Sequence, residues 1–290
     1  MSREPIRSIL ARRGLAPSRD RGQNFLRDRA LARTLVRDAG VGPGDAVIEI
    51  GPGLGALTAA LAERAARVVA LEVDAGLEAY LREEAGLPAS VEVRHADALE
   101  VDLGALVDAL AARSPGGAVR VVGNLPYAIS APLLRRILDV LPGLAGASLM
   151  LQKEVARRLL ARPKDPGYGS LAALAALRAR AEHHRDVAGR AFVPAARVIS
   201  SFVTLRPRPA SPLGPDEFRL FEAFVRAAFR HRRKTLANSL RETGFPAAAV
   251  ERALAAQGLP AGVRAEELSP EQLFHLARRI PPAPGGGTEA

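Results

Sequence analysis

The stretch Val119-Arg-Val-Val-Gly-Asn-Leu-Pro-Tyr127 joins a short apolar run to a stiff turn. Val119, Val121 and Val122 are β-branched and predict a buried strand. Gly123 is expected to end that strand, and Asn124-Leu-Pro-Tyr127 to form a rigid turn before a helix from Ser130. In open α/β sheets, ligands occupy the crevice beyond the carboxyl ends of the strands. A turn placed there, with an amide, a fixed proline and an aromatic ring, suits a flat ring that bears an amino group. Pro126 confines Leu125 to extended backbone, so the Leu125 carbonyl can point the same way as the Asn124 side-chain oxygen. Two acceptors would then hold the amine while Tyr127 stacks on the ring. The stretch is equally compatible with an ordinary Asn-Pro-type turn that closes a strand.

Working outward, Ala46–Ile50 reads as a strand, Gly51-Pro-Gly-Leu-Gly55 as a glycine loop and Ala56–Ala65 as a helix with apolar residues at helical spacing. Strands over Arg67–Glu72, Val91–Asp97 and Ala147–Gln152 alternate with helices over Ala75–Glu84 and Ser130–Leu141. Such alternation calls for a mostly parallel sheet with helices on both faces. A late strand, Ile199–Arg206, can form an antiparallel edge pair with Glu182–Val187, and helices are expected at Glu154–Leu160 and Ser170–Arg180. At the other end, a basic helix over Ile6–Leu15 precedes a loop, Arg21–Leu26, and a helix over Asp28–Ala39 that Asp28 is placed to cap. Pro207–Pro215 has linker composition. Helices are expected beyond it at Asp216–Arg230, Arg233–Arg241, Ala247–Gln257 and Pro270–Arg279. The expected organisation is an α/β domain over 1–207 with a basic arm over 1–40, an all-α domain over 208–280 and a disordered tail over 281–290.

The chain of 290 residues carries a formal charge of +10, which suggests a polyanionic partner. Residues 1–37 hold ten arginines against Glu4, Asp20 and Asp28, a concentration that favours phosphate contact. The absence of cysteine excludes disulfides, thiolate metal sites and base methylation through a thiolate adduct. No apolar run is long enough to span a bilayer, and the first residues lack the core of a signal peptide. A cytoplasmic protein without a membrane or metal partner is expected. His95, His183, His184 and His231 show no metal spacing with carboxylates and read as structural or as facing the polyanionic partner.

The glycine loop follows G-x-G-x-G rather than G-x-G-x-x-G, and Pro52 removes a backbone donor that a pyrophosphate would use. A cofactor without phosphate fits better. Glu49 lies inside the first strand, Glu72 ends the second and Asp97 ends the third. These acids suit S-adenosylmethionine: Glu72 can accept both ribose hydroxyls, Asp97 can accept from the adenine amine, and Glu49 lowers the potential near the cationic methionine end. Acidic residues at strand ends are also common helix caps.

Taken together, these residues resemble the ribosomal RNA adenine dimethyltransferase family, in particular its small-subunit branch. The resemblance covers nearly the whole chain. It is carried by Gly22-Gln-Asn-Phe-Leu26, Glu49-Ile-Gly-Pro-Gly-Leu-Gly55, Glu72-Val-Asp74, His95-Ala-Asp97 and Asn124-Leu-Pro-Tyr127. It continues through Tyr168-Gly-Ser170, Phe192-Val-Pro194 with Val198 and Ser200, and Arg232-Arg-Lys-Thr-Leu-Ala-Asn-Ser-Leu240. It implies a Rossmann-like class I methyltransferase with a mostly parallel seven-stranded sheet and a small all-α C-terminal domain that recognises RNA.

The implied reaction is S-adenosylmethionine-dependent dimethylation of two adjacent adenosines in the 3′-terminal hairpin of 16S rRNA, on the small ribosomal subunit, by a monomer. The resemblance further implies that Asn24 and Leu26 close over the cofactor, and that Gly51, with Gly53, contacts its methionine end. Glu72 would hold the ribose and Asp97 the adenine. Asn124 and the Leu125 carbonyl would hold the target amine, with Pro126 setting the turn and Tyr127 and Phe192 forming two aromatic walls. Arg232-Arg233-Lys234 is expected on the RNA backbone. A large-subunit rRNA adenine methylase, a DNA adenine methylase and a non-catalytic assembly factor are the competing readings.

Overall fold

The computed structural model describes residues 4–18, 22–126, 129–208, 213–231 and 233–280. Tyr127, Arg21, Arg232, part of the 207–215 linker and the 281–290 tail, all named above, lie outside the described residues. The elements run α1 (Ile6–Arg12), β1 (Phe25–Leu26), α2 (Arg29–Asp38), β2 (Ala46–Ile50), α3 (Ala56–Ala62), β3 (Arg67–Glu72) and α4 (Ala75–Glu83). Next come β4 (Val91–His95), α5 (Leu103–Ala112), β5 (Val119–Asn124), α6 (Ser130–Val140), β6 (Gly146–Gln152), α7 (Lys153–Leu160) and α8 (Ser170–Arg178). The chain continues through β7 (Ala179–Val187), β8 (Phe192–Val193), β9 (Ser200–Pro207), α9 (Pro215–Ala228), α10 (Leu236–Glu242), α11 (Ala247–Ala256) and α12 (Pro270–Ala277).

Seven strands form one sheet in the order β4-β3-β2-β5-β6-β9-β7. β2 is parallel to both β3 and β5, β3 to β4 and β5 to β6, whereas β9 runs antiparallel to β6. The chain thus moves outward from β2 to β4 and then returns on the other side of β2 as β5. That reversal opens a crevice at the carboxyl ends of β2 and β5. The register sets Ile50 opposite Gly123, so Gly51 and Asn124 follow at neighbouring strand ends. All of β2 is buried, as expected of a central parallel strand covered on both faces. β4, at the sheet edge, is only partly buried, in keeping with its alternating sequence.

Several boundaries differ from the sequence reading. β5 does not end at Gly123 but runs through Asn124, because Asn124 still pairs with Met150 of β6. The third strand stops at His95, which leaves Asp97 in the following loop. α1 ends at Arg12 and α3 at Ala62, each short of the expected limit. α10 begins at Leu236 rather than Arg233, since the Thr235 hydroxyl accepts from Asn238 N–H and caps it. α5 was not expected; Asp102 caps it through Ala105 N–H at 2.9 Å. Asp28 caps α2 as expected, with Oδ1 accepting from Ala30 and Leu31 N–H at 2.8 and 3.0 Å. Within the expected loop, Phe25 and Leu26 pair antiparallel with Val193 and Phe192.

The chain divides into two compact units, Met1–Ala156 with Ala181–Pro207, and Arg157–Arg180 with Arg208–Ala290. Arg157–Arg180, assigned by sequence to the first domain, therefore groups with the C-terminal helices. Its side chains explain why. The Tyr168 hydroxyl donates to the Leu268 carbonyl at 3.1 Å, its ring meets Phe229 edge-on at 5.5 Å, and the Arg178 guanidinium lies 3.9 Å over the Phe218 ring. The core of this unit includes Phe218, Phe221, Leu236, Leu240 and Leu273, all inaccessible to solvent. Among the described residues, no helix is long and apolar enough to cross a membrane, and no cluster of acidic and histidine side chains could hold a metal ion.

Candidate functional site

The glycine turn after β2 is built on left-handed backbone, with φ of 69° at Gly51 and 58° at Gly53, a region that favours glycine. A Cβ on Gly51 would stand 3.5 Å from the Asn124 carbonyl oxygen, and one on Gly53 would stand 2.9 Å from the Phe25 ring. Phe25 therefore packs directly against the turn. Glu72 ties the turn to the end of β3: its Oε2 accepts from Gly53 N–H and its Oε1 from Asp74 N–H, both at 3.0 Å. Burial pushes the Glu72 carboxyl above the usual range, against the lowering effect of those donors.

Around this turn lies a cleft of about 1110 Å³, counted with its open mouth. Its lining brings together Asn24, Leu26, Gly51, Gly53, Glu72, Asp97, Asn124, Leu125, Pro126 and Phe192. Ten expected site residues from six separate stretches of chain thus meet in one crevice. Tyr127 lies outside the described residues.

At the end of β5, Asn124 Nδ2 donates to the Asn24 carbonyl at 3.1 Å, and Asn24 Nδ2 donates to the Gly22 carbonyl at 3.0 Å. The Asn124 amide is thereby oriented with its nitrogen on protein, and its Oδ1 accepts no hydrogen bond from the described residues. Leu125 N–H donates to the Met150 carbonyl at 3.2 Å, anchoring the turn to β6. Phe192 is 2% exposed and is held opposite Leu26 by the short β1–β8 ladder. Asp97, just past β4, accepts from Leu99 N–H at 2.8 Å through Oδ1.

Glu49 is a correction. It is wholly buried in β2 and does not line the cleft. Burial pushes its carboxyl up to about 8, with a further rise from the Glu72 charge. Neither Glu49 oxygen makes a hydrogen bond among the described residues, nor does Thr58 Oγ1. Burial thus favours the neutral carboxyl over the charged form expected of it.

The basic arm is also less free than its composition suggests. Arg12 pairs with Glu4 and Glu84 at 3.1 and 2.7 Å, Arg13 with Glu83 at 2.7 Å, and Arg33 with Glu63 at 2.8 Å. In the second unit, Lys234 and His231 both contact Glu242. His95 Nε2 bonds the Val73 carbonyl at 3.1 Å, and His183 bonds Asp186 at 3.0 Å.

The sequence reading assigned no role to Phe25, Val73 or Met150, which also line the cleft. For Phe25 one signal was available: a glycine loop with no phosphate to approach must leave its space for something else.

The family described as ribosomal RNA adenine dimethylase matches residues 17–281. A ribosomal RNA small subunit methyltransferase A from Deinococcus radiodurans is 45% identical over 267 residues, spanning 91% of this chain and 85% of that protein. Among solved structures, the 23S rRNA methyltransferase ErmE is 30% identical, with a TM-score of 0.64 over 89% of this chain and 99% of that one. A dimethyladenosine transferase from Plasmodium falciparum shares the fold, with a TM-score of 0.72 at 24% identity over 87% of this chain and 95% of that one.

Proposed function

The chain belongs to the ribosomal RNA adenine dimethylase family of Rossmann-like methyltransferases, and from that premise we propose that it dimethylates the exocyclic amines of two adjacent adenosines in the 3′-terminal hairpin of 16S rRNA. It does so on the small ribosomal subunit during biogenesis, as a cytoplasmic monomer, with S-adenosylmethionine as donor. The observation that carries this reading is the juxtaposition of two turns. The acceptor turn at Asn124 adjoins the glycine turn, with the Asn124 carbonyl 3.5 Å from where a Gly51 Cβ would stand.

The residues present fit the donor. Two acids, Glu72 and Asp97, line the same cleft as the glycine turn, as a cationic ligand with a ribose diol and an adenine amine requires. Gly51 and Gly53 would border the methionine end, Glu72 would accept from the ribose hydroxyls and Asp97 from the adenine amine, and Asn24 and Leu26 would close over it. When bound, S-adenosylmethionine supplies an electrophilic sulfonium methyl.

The chain's own work is to make a poor nucleophile attack. The adenine amine lone pair is delocalised into the ring. Asn124 Oδ1 and the Leu125 carbonyl, accepting both amine hydrogens, draw the nitrogen towards tetrahedral geometry and aim its lone pair at the methyl. The nitrogen becomes acidic only after transfer, so no strong base is required. Positioning and fixed dipoles supply the rate. The target base leaves its stack to enter, and contact with Phe192 and Tyr127 offsets that cost.

The test is labelled methyl transfer to small subunits that lack the modification, followed by mapping of the modified nucleotides. Label on two adjacent adenosines near the 3′ end of 16S rRNA is expected. Label confined to large-subunit RNA, or none, overturns the proposal.

A further inference from the structure

Arg136 lies on α6, the helix that follows the acceptor turn, yet its guanidinium reaches a different part of the site. Nη1 donates to the Ala98 carbonyl at 3.2 Å and to the Leu99 carbonyl, and Nη2 donates to the Val101 carbonyl at 2.5 Å. None of these three oxygens accepts a backbone hydrogen bond among the described residues. The loop they belong to turns tightly on Asp97, whose carbonyl accepts from Glu100 and Val101 N–H and whose Oδ1 accepts from Leu99 N–H. Ala96, Asp97 and Ala98 of this loop line the cleft. Partly buried carbonyls without donors are costly. A planar guanidinium, with five N–H groups in a fixed fork, can satisfy three of them at once, which an ammonium point charge cannot match.

We propose that Arg136 is a positioning residue for the cofactor's adenine end, holding the Asp97 loop from behind so that the remaining oxygen of Asp97 faces the cleft. The inference rests on the assignment of Asp97 to the adenine. It also links the two halves of the reaction, because one helix follows the acceptor turn and braces the adenine loop.

The test uses the full-length protein and calorimetric binding of S-adenosylhomocysteine and 5′-methylthioadenosine, the latter lacking the amino-acid end. Arg136→Met is expected to weaken both ligands about tenfold, and Arg136→Lys to weaken both by less. In methyl transfer, KM for S-adenosylmethionine should rise more than kcat falls. In an Asp97→Ala background, Arg136→Met should add less than twofold, since a residue that acts through Asp97 has nothing further to lose. Unchanged affinity in both Arg136 variants overturns the inference, as does a full tenfold further loss in the Asp97→Ala background. If Arg136→Met does not fold, the Lys variant with and without Asp97→Ala decides by the same criterion. Failure of the unaltered protein to bind S-adenosylhomocysteine would instead remove the methyltransferase reading, and this inference with it.

Discussion

Asn124 and Asn24, a hundred residues apart, are joined by one hydrogen bond of 3.1 Å from the side-chain nitrogen of the first to the carbonyl of the second. The bond fixes which end of the Asn124 amide faces the cleft. It also ties the segment proposed to close on the cofactor to the turn proposed to hold the target amine.

Asn124→Ala is accordingly expected to cut methyl transfer by at least about a hundredfold, the scale seen when one preorganised polar contact to a reacting group is lost. Cofactor affinity should fall only a few-fold, because the Glu72 and Asp97 contacts persist. Single-turnover transfer and calorimetry on the same folded variant separate the two effects. Loss of both would refute the assigned role.

Glu72 bridges Gly53 and Asp74 through its two oxygens, so its removal affects the donor side first. Glu72→Ala is expected to weaken S-adenosylhomocysteine binding by about tenfold or more, in line with the loss of charge-assisted hydrogen bonds. Calorimetry that returns an unchanged affinity would contradict the ribose assignment.

Gly53→Ala combines a left-handed backbone with a Cβ 2.9 Å from the Phe25 ring. A loss of stability of about 1–3 kcal/mol is expected, visible in urea denaturation, together with weaker cofactor binding. Adding Phe25→Leu should restore part of the stability, since it relieves the contact but not the backbone strain. No recovery in the double variant would show that the ring is not the obstacle.

Glu49 gives stability a distinctive pH dependence. Its folded-state value is raised from 4.5 to about 8, so between these limits the native state binds a proton that the unfolded chain has released. Stability contributed by this group is fully present below pH 4.5 and is lost as pH rises through about 8. Glu49→Gln, which mimics the protonated form, should therefore be more stable than the unaltered protein above pH 8. The advantage is expected to be on the order of a few kcal/mol. It should vanish near pH 4.5. Parallel stability curves for the two proteins across that range would show that the carboxyl is not held protonated.

Much of the architecture was readable because its signals are local. β2, β3 and β5 are apolar runs closed by Gly51, Glu72 and Asn124, and alternation with helices limits how such strands can be ordered. The same positions supply most of the cleft, which is why strand-end acids and the Asn124 turn could be named. What escaped depends on long-range partners. The β1–β8 ladder spans two residues per strand, too few for any period. Arg136 looks like an ordinary polar helix position until its carbonyl partners, 35–38 residues earlier, are known. Tyr168 and Arg178 gave no sign that their segment leaves the first unit. Glu49 was assigned by its charge, but burial governs the charge.

The pairs formed by Arg12, Arg13 and Arg33 bear on how the protein meets an electrolyte. These side chains already face carboxylates, so they are less free to neutralise phosphates and to release the cations condensed on an arriving polyanion. Affinity for RNA plotted against salt on logarithmic axes should therefore have a shallower slope than the formal charge of the first 37 residues would give.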